Sequence, residues 1–254
     1  MIWRAGLTTV AVLIGLSGPI ARAAAVPPVT CPAVKLPPIA LPHVRQALNA
    51  GQEITIVAFG SSTTEGSHAS DMRHTYPAIL QLELEAALPD AHVAVINRGV
   101  GGQDAPEMMA RLDSDVIAMR PTLVIWQVGA NGAMRGSDPS SFQTMVDEGV
   151  RKLEHGGADV VLMDNQRSPA VLASPVHAQI DQALADIARR DDARLFARGR
   201  LMELWQDEGH PYSEFLADDG IHHNDLGYAC VAKALARSML DGLGPMPSRF
   251  SASQ

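Results

Sequence analysis

The sequence lacks any excess of positive charge and any long run of charge of one sign. Its 254 residues include 28 acidic and 20 basic side chains, and these are spread along the chain. Proteins that bind nucleic acid or anionic lipid concentrate lysine and arginine on one face or in one segment. The composition therefore argues against nucleic acid and anionic membranes as partners, and the chain contains no charged interaction tail.

Motifs for metals, phosphates and dinucleotides are also missing. None of the nine histidines stands in a ligand spacing such as H-E-x-x-H. Residues 60–66 have no lysine after their second glycine, as a phosphate-binding loop requires, and residues 97–103 lack the G-x-G-x-x-G spacing of a dinucleotide site. We therefore predict no cofactor and no metal site.

The N-terminal hydrophobic stretch is too short for an ordinary membrane span. Residues 5–16 are apolar or small, Arg4 precedes them, and Ala-x-Ala occurs at residues 21–23 and 23–25. This is the layout of a secretory signal peptide, whereas a membrane helix needs roughly 20 apolar residues. We predict a signal peptide at residues 1–25 and a periplasmic or secreted mature protein, the alternative being an uncleaved N-terminal anchor.

Only two cysteines are present, Cys31 and Cys230. In an oxidising compartment they can pair, which would attach the N-terminal arm to the last helix. Two unpaired thiols are equally compatible with the sequence. The residues before Cys31 lack the small-residue box of a lipoprotein signal, so Cys31 is not predicted to carry a lipid.

Short apolar runs alternate with helical patterns after a proline-rich segment. Residues 26–52 hold six prolines by position 42 and predict an extended arm followed by a short helix. Strands are predicted at 53–59, 92–97, 122–128, 158–164 and 193–197, and helices near 75–88, 105–118, 139–155, 175–190 and 225–241. This alternation predicts one three-layer α/β/α domain with a five-stranded parallel sheet at residues 53–243, followed by a tail at 244–254.

Ligands bind beyond the carboxyl ends of the strands in such sheets, so the following loops are where chemistry is expected. Two serines, Ser61 and Ser62, follow the first strand, although the G-x-S-x-G spacing of α/β-hydrolases is absent. Three glycines after the second strand offer backbone N–H groups to an oxyanion. Asn131 follows the third strand; an asparagine before glycine is also common in plain turns.

Asp219 and His222 precede the last predicted helix. They are three residues apart with a glycine between them, so a turn can place the carboxylate on one imidazole nitrogen and leave the other free as a base. An Asp-x-x-His segment considered alone favours a capped helix start. The four loops together supply a nucleophile, backbone donors, an amide donor and an oriented histidine, which is the equipment for acyl transfer.

These loops resemble the four blocks of the SGNH hydrolases, also called GDSL esterases. The first block falls on residues 60–66 and the resemblance implies Ser62 as nucleophile; Asp219 and His222 match the final D-x-x-H block. Gly102 and Asn131 match the second and third blocks, so Ser62, Gly102 and Asn131 are the expected oxyanion hole. The resemblance covers about residues 53–240 and implies the flavodoxin-like SGNH fold.

Two positions depart from the family pattern. Ser61 stands where the first block has Asp, and Gly132 stands where an Asp follows the asparagine. Both acids support neighbouring groups in the family and do not react, so we expect their loss to tune activity and not to abolish it. The departures leave the rigidity of the nucleophile turn and of the Asn131 loop as open questions.

Several other polar and aromatic residues are expected to take no part in the reaction. His223 is the nearest rival to His222 and is expected to face solvent or a carbonyl partner. His68 and His74 are expected to be solvated loop histidines, with a place beside the site as the alternative. Trp126 is expected in the core, and Asp164 and Arg167 in an ordinary surface loop.

The resemblance implies an exported serine ester hydrolase that acts on small-molecule, glycan or lipid esters through an acyl-serine intermediate, with short acyl chains expected. One alternative is acyl transfer to a glycan hydroxyl, which product analysis with a sugar acceptor would reveal. Another is a non-catalytic glycan-binding protein with a decayed site, marked by the two missing acids. The sequence predicts neither the alcohol portion of the substrate nor the oligomeric state.

Overall fold

The computed structural model describes residues 30–190 and 193–245. The predicted signal peptide at residues 1–25 and the tail from residue 246 onward lie outside the described residues. No helix within the described ranges combines the length and the hydrophobicity that crossing a bilayer demands.

A parallel five-stranded sheet forms the centre of the domain, as predicted. The strands lie in the order β2-β1-β3-β4-β5, and every pairing is parallel. Their bounds are within two residues of the predicted ones: β1 Ile54–Gly60, β2 Val93–Gly99, β3 Leu123–Gln127, β4 Asp159–Met163 and β5 Arg194–Phe196. Because β1 pairs with both β2 and β3, the strand order reverses at β1. Sheets of this kind bind ligands beside such a reversal, at the carboxyl ends of the strands.

Helices cover both faces of the sheet. Alternate residues of a strand point to opposite faces, so in β1 Ile56 and Ala58 join one hydrophobic cluster while Val57 and Phe59 join the other. Trp126 is buried in the second cluster, as expected. The helices are α1 Pro42–Asn49, α2 Ser62–Glu65, α3 Tyr76–Ala87, α4 Ala105–Ala110, α5 Leu112–Asp115, α6 Ala130–Arg135, α7 Pro139–His155, α8 Pro169–Leu172, α9 His177–Arg190, α10 Arg198–Asp207 and α11 Asp225–Leu243. Single 3₁₀ turns occur at Met72–His74, Ile117–Met119 and Tyr212–Glu214.

The continuous helix predicted at residues 105–118 is wrong. The segment forms α4, α5 and a 3₁₀ turn, and the first break is at Arg111, whose φ of −113° and ψ of 6° lie outside the helix. The Arg111 guanidinium donates to the carbonyls of Arg98 and Gly60 at 2.9 and 3.0 Å, and lies 4.4 Å from the centre of the Phe59 ring. The break lets one side chain hold the ends of β1 and β2.

The proline-rich arm packs along α11. Residues 30–41 form no helix or strand. The Ile39 N–H donates to the Ser238 carbonyl at 2.8 Å, and a Cβ at Gly242 would lie 1.8 Å from the Ile39 carbonyl oxygen, so glycine is required there. Cys31 and Cys230 form a disulfide, which answers a question that the sequence left open. We infer that the arm belongs to the same folding unit as residues 53–243.

A short closed loop before α11 presents residues 217–222 at the carboxyl edge of the sheet. Leu216 and His223 form an isolated antiparallel bridge, and the Ala217 N–H donates to the His222 carbonyl at 2.8 Å. The Asn224 side chain donates to the Leu216 carbonyl at 3.0 Å and accepts from the Gly227 N–H at 2.9 Å. Asn224 therefore closes the loop and, as predicted, caps α11.

His223 lies buried beneath this loop. Its Nδ1 donates to the Phe215 carbonyl at 3.0 Å and its ring packs edge-on against Tyr228. Of the two environments predicted for His223, the carbonyl partner is confirmed and exposure to solvent is wrong. Burial, aided by the positive charge of Arg198, lowers the pKa of His223 to about 3.

Replacing both Cys31 and Cys230 by serine should lower thermal stability. The bridge closes a loop with a sequence separation of 199 residues, and long loops are where a crosslink most restricts the unfolded chain. We expect a loss of about 2–4 kcal/mol, or roughly 5–15 °C in melting temperature. Reducing agent should lower the melting temperature of the wild type to that of the double variant and leave the variant unchanged. Equal melting temperatures for oxidised wild type and variant would contradict this role.

The stability of the folded protein should decrease as the pH is lowered, because of His223. The unfolded histidine has a pKa of about 6.5, so below that pH the unfolded state takes up a proton that the folded state refuses down to about pH 3. The free energy of unfolding from urea titrations should drop by up to about 2 kcal/mol between pH 7 and pH 5. His223→Gln should flatten this slope, while His92→Gln, which alters an exposed histidine, should keep it. An unaltered slope in His223→Gln would count against the assignment.

Candidate active site

The turn after β1 is held by one side-chain oxygen of Gln127. Gln127 is the last residue of β3 and is fully buried. Its Oε1 accepts from the Ser61 N–H at 3.0 Å, from the Ser61 hydroxyl at 3.1 Å and from the Thr64 hydroxyl at 3.2 Å. Thr64 is also within 3.2 Å of the Tyr76 hydroxyl. Ser61 thus anchors the turn through hydrogen bonds to a neutral amide. The turn is held in this way although the aspartate of the family pattern is absent.

Ser62, His222 and Asp219 form a continuous hydrogen-bonded chain. Ser62 Oγ lies 2.7 Å from His222 Nε2, and His222 Nδ1 lies 2.5 Å from Asp219 Oδ2. The other Asp219 oxygen accepts from the backbone N–H groups of Ile221 and His222, each at 3.0 Å. The structure therefore brings together the three residues that the sequence assigned to a triad, and the Asp-x-x-His segment is more than a helix cap.

Hydrogen bonding keeps Asp219 ionised. Desolvation alone would raise the pKa of this carboxyl, but the donors from the Ile221 N–H, the His222 ring and the His222 N–H outweigh it and lower the pKa to about 2. A negative charge therefore faces His222 at any pH near neutrality. Such a charge fixes the imidazole tautomer with its proton on Nδ1 and its lone pair toward Ser62.

Gly102 and Asn131 line the same cavity as Ser62 and His222. The cavity has a volume of about 310 Å³. One N–H of the Asn131 amide donates to the Gln103 carbonyl at 2.8 Å, and Arg135 donates to the Gly102 carbonyl at 2.6 Å. A primary amide has two N–H groups, so Asn131 can hold the glycine loop and still offer a donor to the cavity.

Gly132 has a local reason for replacing the family's aspartate. A Cβ at this position would lie 2.8 and 2.9 Å from the two carboxylate oxygens of Asp104. Asp104 is buried, and its side chain accepts from the Ser137 hydroxyl at 3.1 Å. A second carboxylate would meet both steric overlap and like charge. Asp104 therefore fills the space beside the Asn131 loop. It places a carboxylate there although the aspartate that follows the asparagine in the family pattern is absent.

Gln166 is a cavity residue that the sequence did not reveal. Its Nε2 donates to the Ile221 carbonyl at 3.1 Å, and its Oε1 accepts from the buried Arg198 guanidinium at 2.8 Å. Arg198 also donates to the Asp164 carbonyl at 3.0 Å. Gln166 thus connects the loop after β4 to the residue preceding His222. In the sequence, the only indication that Gln166 could lie at the site is its position three residues after β4.

The expectation of an ordinary surface loop for Asp164 and Arg167 is wrong for Asp164. Asp164 is buried and accepts from the Gly199 N–H at 2.8 Å. Burial, with the nearby charge of Asp181, raises its pKa to about 7. Arg167 pairs with Asp181 and Glu203, each at 2.8 Å, and neither Asp164 nor Arg167 is among the residues lining the Ser62 cavity.

The two loop histidines differ in their surroundings. His68 Nε2 lies 3.2 Å from Asp219 Oδ2, and its ring stacks on His222 with a centroid separation of 5.1 Å. His68 is therefore beside the site, which was the alternative expectation. His74 instead contacts Asp71 at 3.1 Å and Ser70 at 3.0 Å.

Several known proteins are similar to this chain in sequence or in fold. An arylesterase from Vibrio mimicus is 24% identical over 176 residues, which covers 66% of this chain and 84% of that protein. The chain also superposes on the solved structure of a "putative lipolytic protein of G-D-S-L family" from Desulfitobacterium hafniense DCB-2. The TM-score is 0.63 and the identity 21%, over 74% of this chain and all of that one.

A two-domain esterase active on acetylated mannans has a TM-score of 0.70 and 22% identity, over 84% of this chain; the match spans only 57% of that larger protein. At these identities the two solved structures establish the fold. The sequence profile of the Non-GDSL lipase-like family matches residues 26–245, which includes every described residue. The resemblance to SGNH hydrolases is confirmed, and the chain belongs to the Non-GDSL lipase-like family.

Proposed function

We propose that the chain is a serine ester hydrolase that cleaves short-chain acyl esters through an acyl-Ser62 intermediate. The observation that carries this proposal is the line of contacts from Ser62 Oγ to His222 at 2.7 Å and from His222 to Asp219 at 2.5 Å. A serine hydroxyl is a weak nucleophile by itself, and a base within hydrogen-bond distance, itself oriented by a third group, is what activates it.

The reaction proceeds in two halves. Ser62 Oγ attacks the ester carbonyl while its proton passes to His222 Nε2; His222 then gives that proton to the departing alcohol. Water takes the place of the alcohol, loses a proton to His222 and attacks the acyl-enzyme, which releases the acid and restores the serine hydroxyl. Asp219, ionised because its pKa is about 2, stabilises the imidazolium formed in each half.

The oxyanion of the tetrahedral intermediate is held by the backbone N–H groups of Ser62 and Gly102 and by the side-chain amide of Asn131. The support for this assignment is that all three residues line one cavity with His222. Gly102 is restrained by Arg135, and Asn131 by its own bond to Gln103. Donors fixed before the reaction stabilise the developing charge without reorganisation.

A short acyl group fits the cavity. Its volume of about 310 Å³ is at the lower end of ligand-binding clefts, which run from about 300 to 1,000 Å³. Small residues supply much of its lining, with Met134 and Ile221 as the larger apolar members. The two-domain esterase with the same fold is active on acetylated mannans, which also carry a short acyl group, and this supports the preference.

Export of the protein is part of the proposal. The signal-like layout of residues 1–25 supports it, and so does the Cys31–Cys230 bridge, because such bonds persist in oxidising compartments. The substrates would then be esters outside the cytoplasm.

Ser62→Ala should abolish both covalent labelling by a fluorophosphonate probe and turnover of p-nitrophenyl esters. Across the series from acetate to decanoate, wild-type kcat/KM should be highest at acetate. Ser61→Ala is the matched control, since it removes the neighbouring hydroxyl and should retain labelling. Labelling that persists in Ser62→Ala would show that Ser62 is not the nucleophile. Labelling without ester turnover in the wild type would favour acyl transfer to another hydroxyl.

Asn131→Ala should lower kcat by about 100- to 1,000-fold with little change in KM, because it removes a donor used mainly in the transition state. Met134→Ala alters an apolar group of the same cavity and should change chain-length preference while keeping the rate on acetate within about tenfold. Melting temperatures establish that both variants fold. An Asn131→Ala enzyme with full kcat would remove Asn131 from the oxyanion hole.

A further inference from the structure

One carboxylate oxygen of Asp219 faces two imidazole rings. Oδ2 lies 2.5 Å from His222 Nδ1 and 3.2 Å from His68 Nε2. The two rings are nearly parallel, with an interplanar angle of 14°. Asp219 Oδ1 is occupied by two backbone N–H groups. Two histidines from opposite ends of the chain therefore converge on a single oxygen, and hydrolysis by Ser62 requires only one of them.

The backbone at His68 is held in an unfavourable conformation. Its φ of 65° is in the left-handed region, which residues with a Cβ adopt uncommonly. The flanking residues fix this conformation: the Ser67 carbonyl accepts from the Tyr228 hydroxyl at 2.7 Å, and the Ala69 N–H donates to Gly66 at 3.1 Å. Strain retained beside a reacting centre points to a use for the side chain that it positions.

The three side chains offer the ligands that zinc prefers. His68, Asp219 and His222 each supply one donor atom, and these atoms all lie within 4.8 Å of one another. Two imidazole nitrogens and one carboxylate oxygen are a common zinc set, and a water can complete a tetrahedron. Because His68 and Asp219 are exposed, an ion can enter from solvent.

Binding would require movement of both rings. Bond lengths near 2.0–2.1 Å place tetrahedral ligand atoms about 3.3 Å apart. The His68–Asp219 separation of 3.2 Å already matches this value. The Asp219–His222 separation of 2.5 Å must widen by somewhat under 1 Å, and the two nearly parallel rings must turn so that their in-plane lone pairs point at the same ion.

We propose that His68 Nε2, Asp219 Oδ2 and His222 Nδ1 form an inhibitory site for a zinc-like divalent cation. The inhibition, but not the binding, rests on the proposed esterase function. The ion takes the lone pair of His222 Nδ1, so the single ring proton of neutral His222 resides on Nε2, facing Ser62. His222 then has no lone pair for the serine proton, and hydrolysis stops until the ion leaves. His68 binds through Nε2 and keeps its proton on Nδ1.

Zinc chloride added to the metal-free enzyme during p-nitrophenyl acetate hydrolysis at pH 7.5 tests the inhibition. Each variant is normalised to its own rate in the presence of EDTA. Wild type should be half-inhibited in the micromolar range and recover with EDTA, while His68→Ala should need at least tenfold more zinc. His74→Ala is the matched control, because His74 lies on the same loop but contacts Asp71 and Ser70; it should respond as the wild type does.

Binding is measured separately by calorimetry on the Ser62→Ala protein, which needs no catalysis. Zinc should bind with one-to-one stoichiometry, and adding His68→Ala should weaken it at least tenfold. Cobalt(II) in place of zinc should give the intense visible absorption of a four-coordinate ion only when His68 is present. Equal affinity with and without His68, or no binding below millimolar zinc, would overturn the site. His68-dependent binding to a protein that hydrolyses no ester would uphold the site and overturn the proposed function.

Discussion

The hydrogen bond between Ser62 and His222 joins two segments that are 160 residues apart, and much of the fold serves to make that distance reproducible. The turn that carries Ser62 is held by Gln127, at the end of the neighbouring strand, which accepts hydrogen bonds from Ser61 and Thr64. His222 is fixed by a loop that closes on itself through Leu216 and His223 and that begins the last helix. Gln166 and the buried Arg198 support the same loop from the end of β4. Because these supports approach the bond from several elements, it has little freedom to lengthen.

Two acids expected from the SGNH pattern are replaced by arrangements of a different chemical kind. At the nucleophile turn, a neutral amide oxygen accepts three donors where a carboxylate was expected. At the asparagine loop, the carboxylate is supplied by Asp104 from another segment, against a glycine that makes room for it. In both places a side chain from another segment lies beside the loop where the family pattern has an aspartate. A motif search that requires the aspartate itself would therefore overlook this arrangement.

The sheet and the four loops could be predicted because they follow from local patterns. Buried parallel strands read as apolar runs, and the carboxyl ends of such strands meet at one edge. What failed depended on contacts between distant residues. Arg111 breaks a helix by reaching the carbonyl of Gly60, 51 positions away. Asp164 is buried where it accepts from the Gly199 N–H of a later helix. His68 is exposed, as expected of a loop histidine, but its contact with Asp219 joins two distant segments. Whether Cys31 and Cys230 form a disulfide likewise depends on their distance in the folded protein, which the number of cysteines does not reveal.

The placement of α11 has a consequence for how the molecule matures. Its N-cap, Asn224, lies two residues after His222, and its second turn is bonded through Cys230 to the N-terminal arm. During synthesis Ser62 leaves the ribosome 160 residues before His222. A chain made only as far as Asp218 has the proposed nucleophile and lacks the proposed base. Under the proposed mechanism, chain order therefore withholds reactivity until both segments have been made.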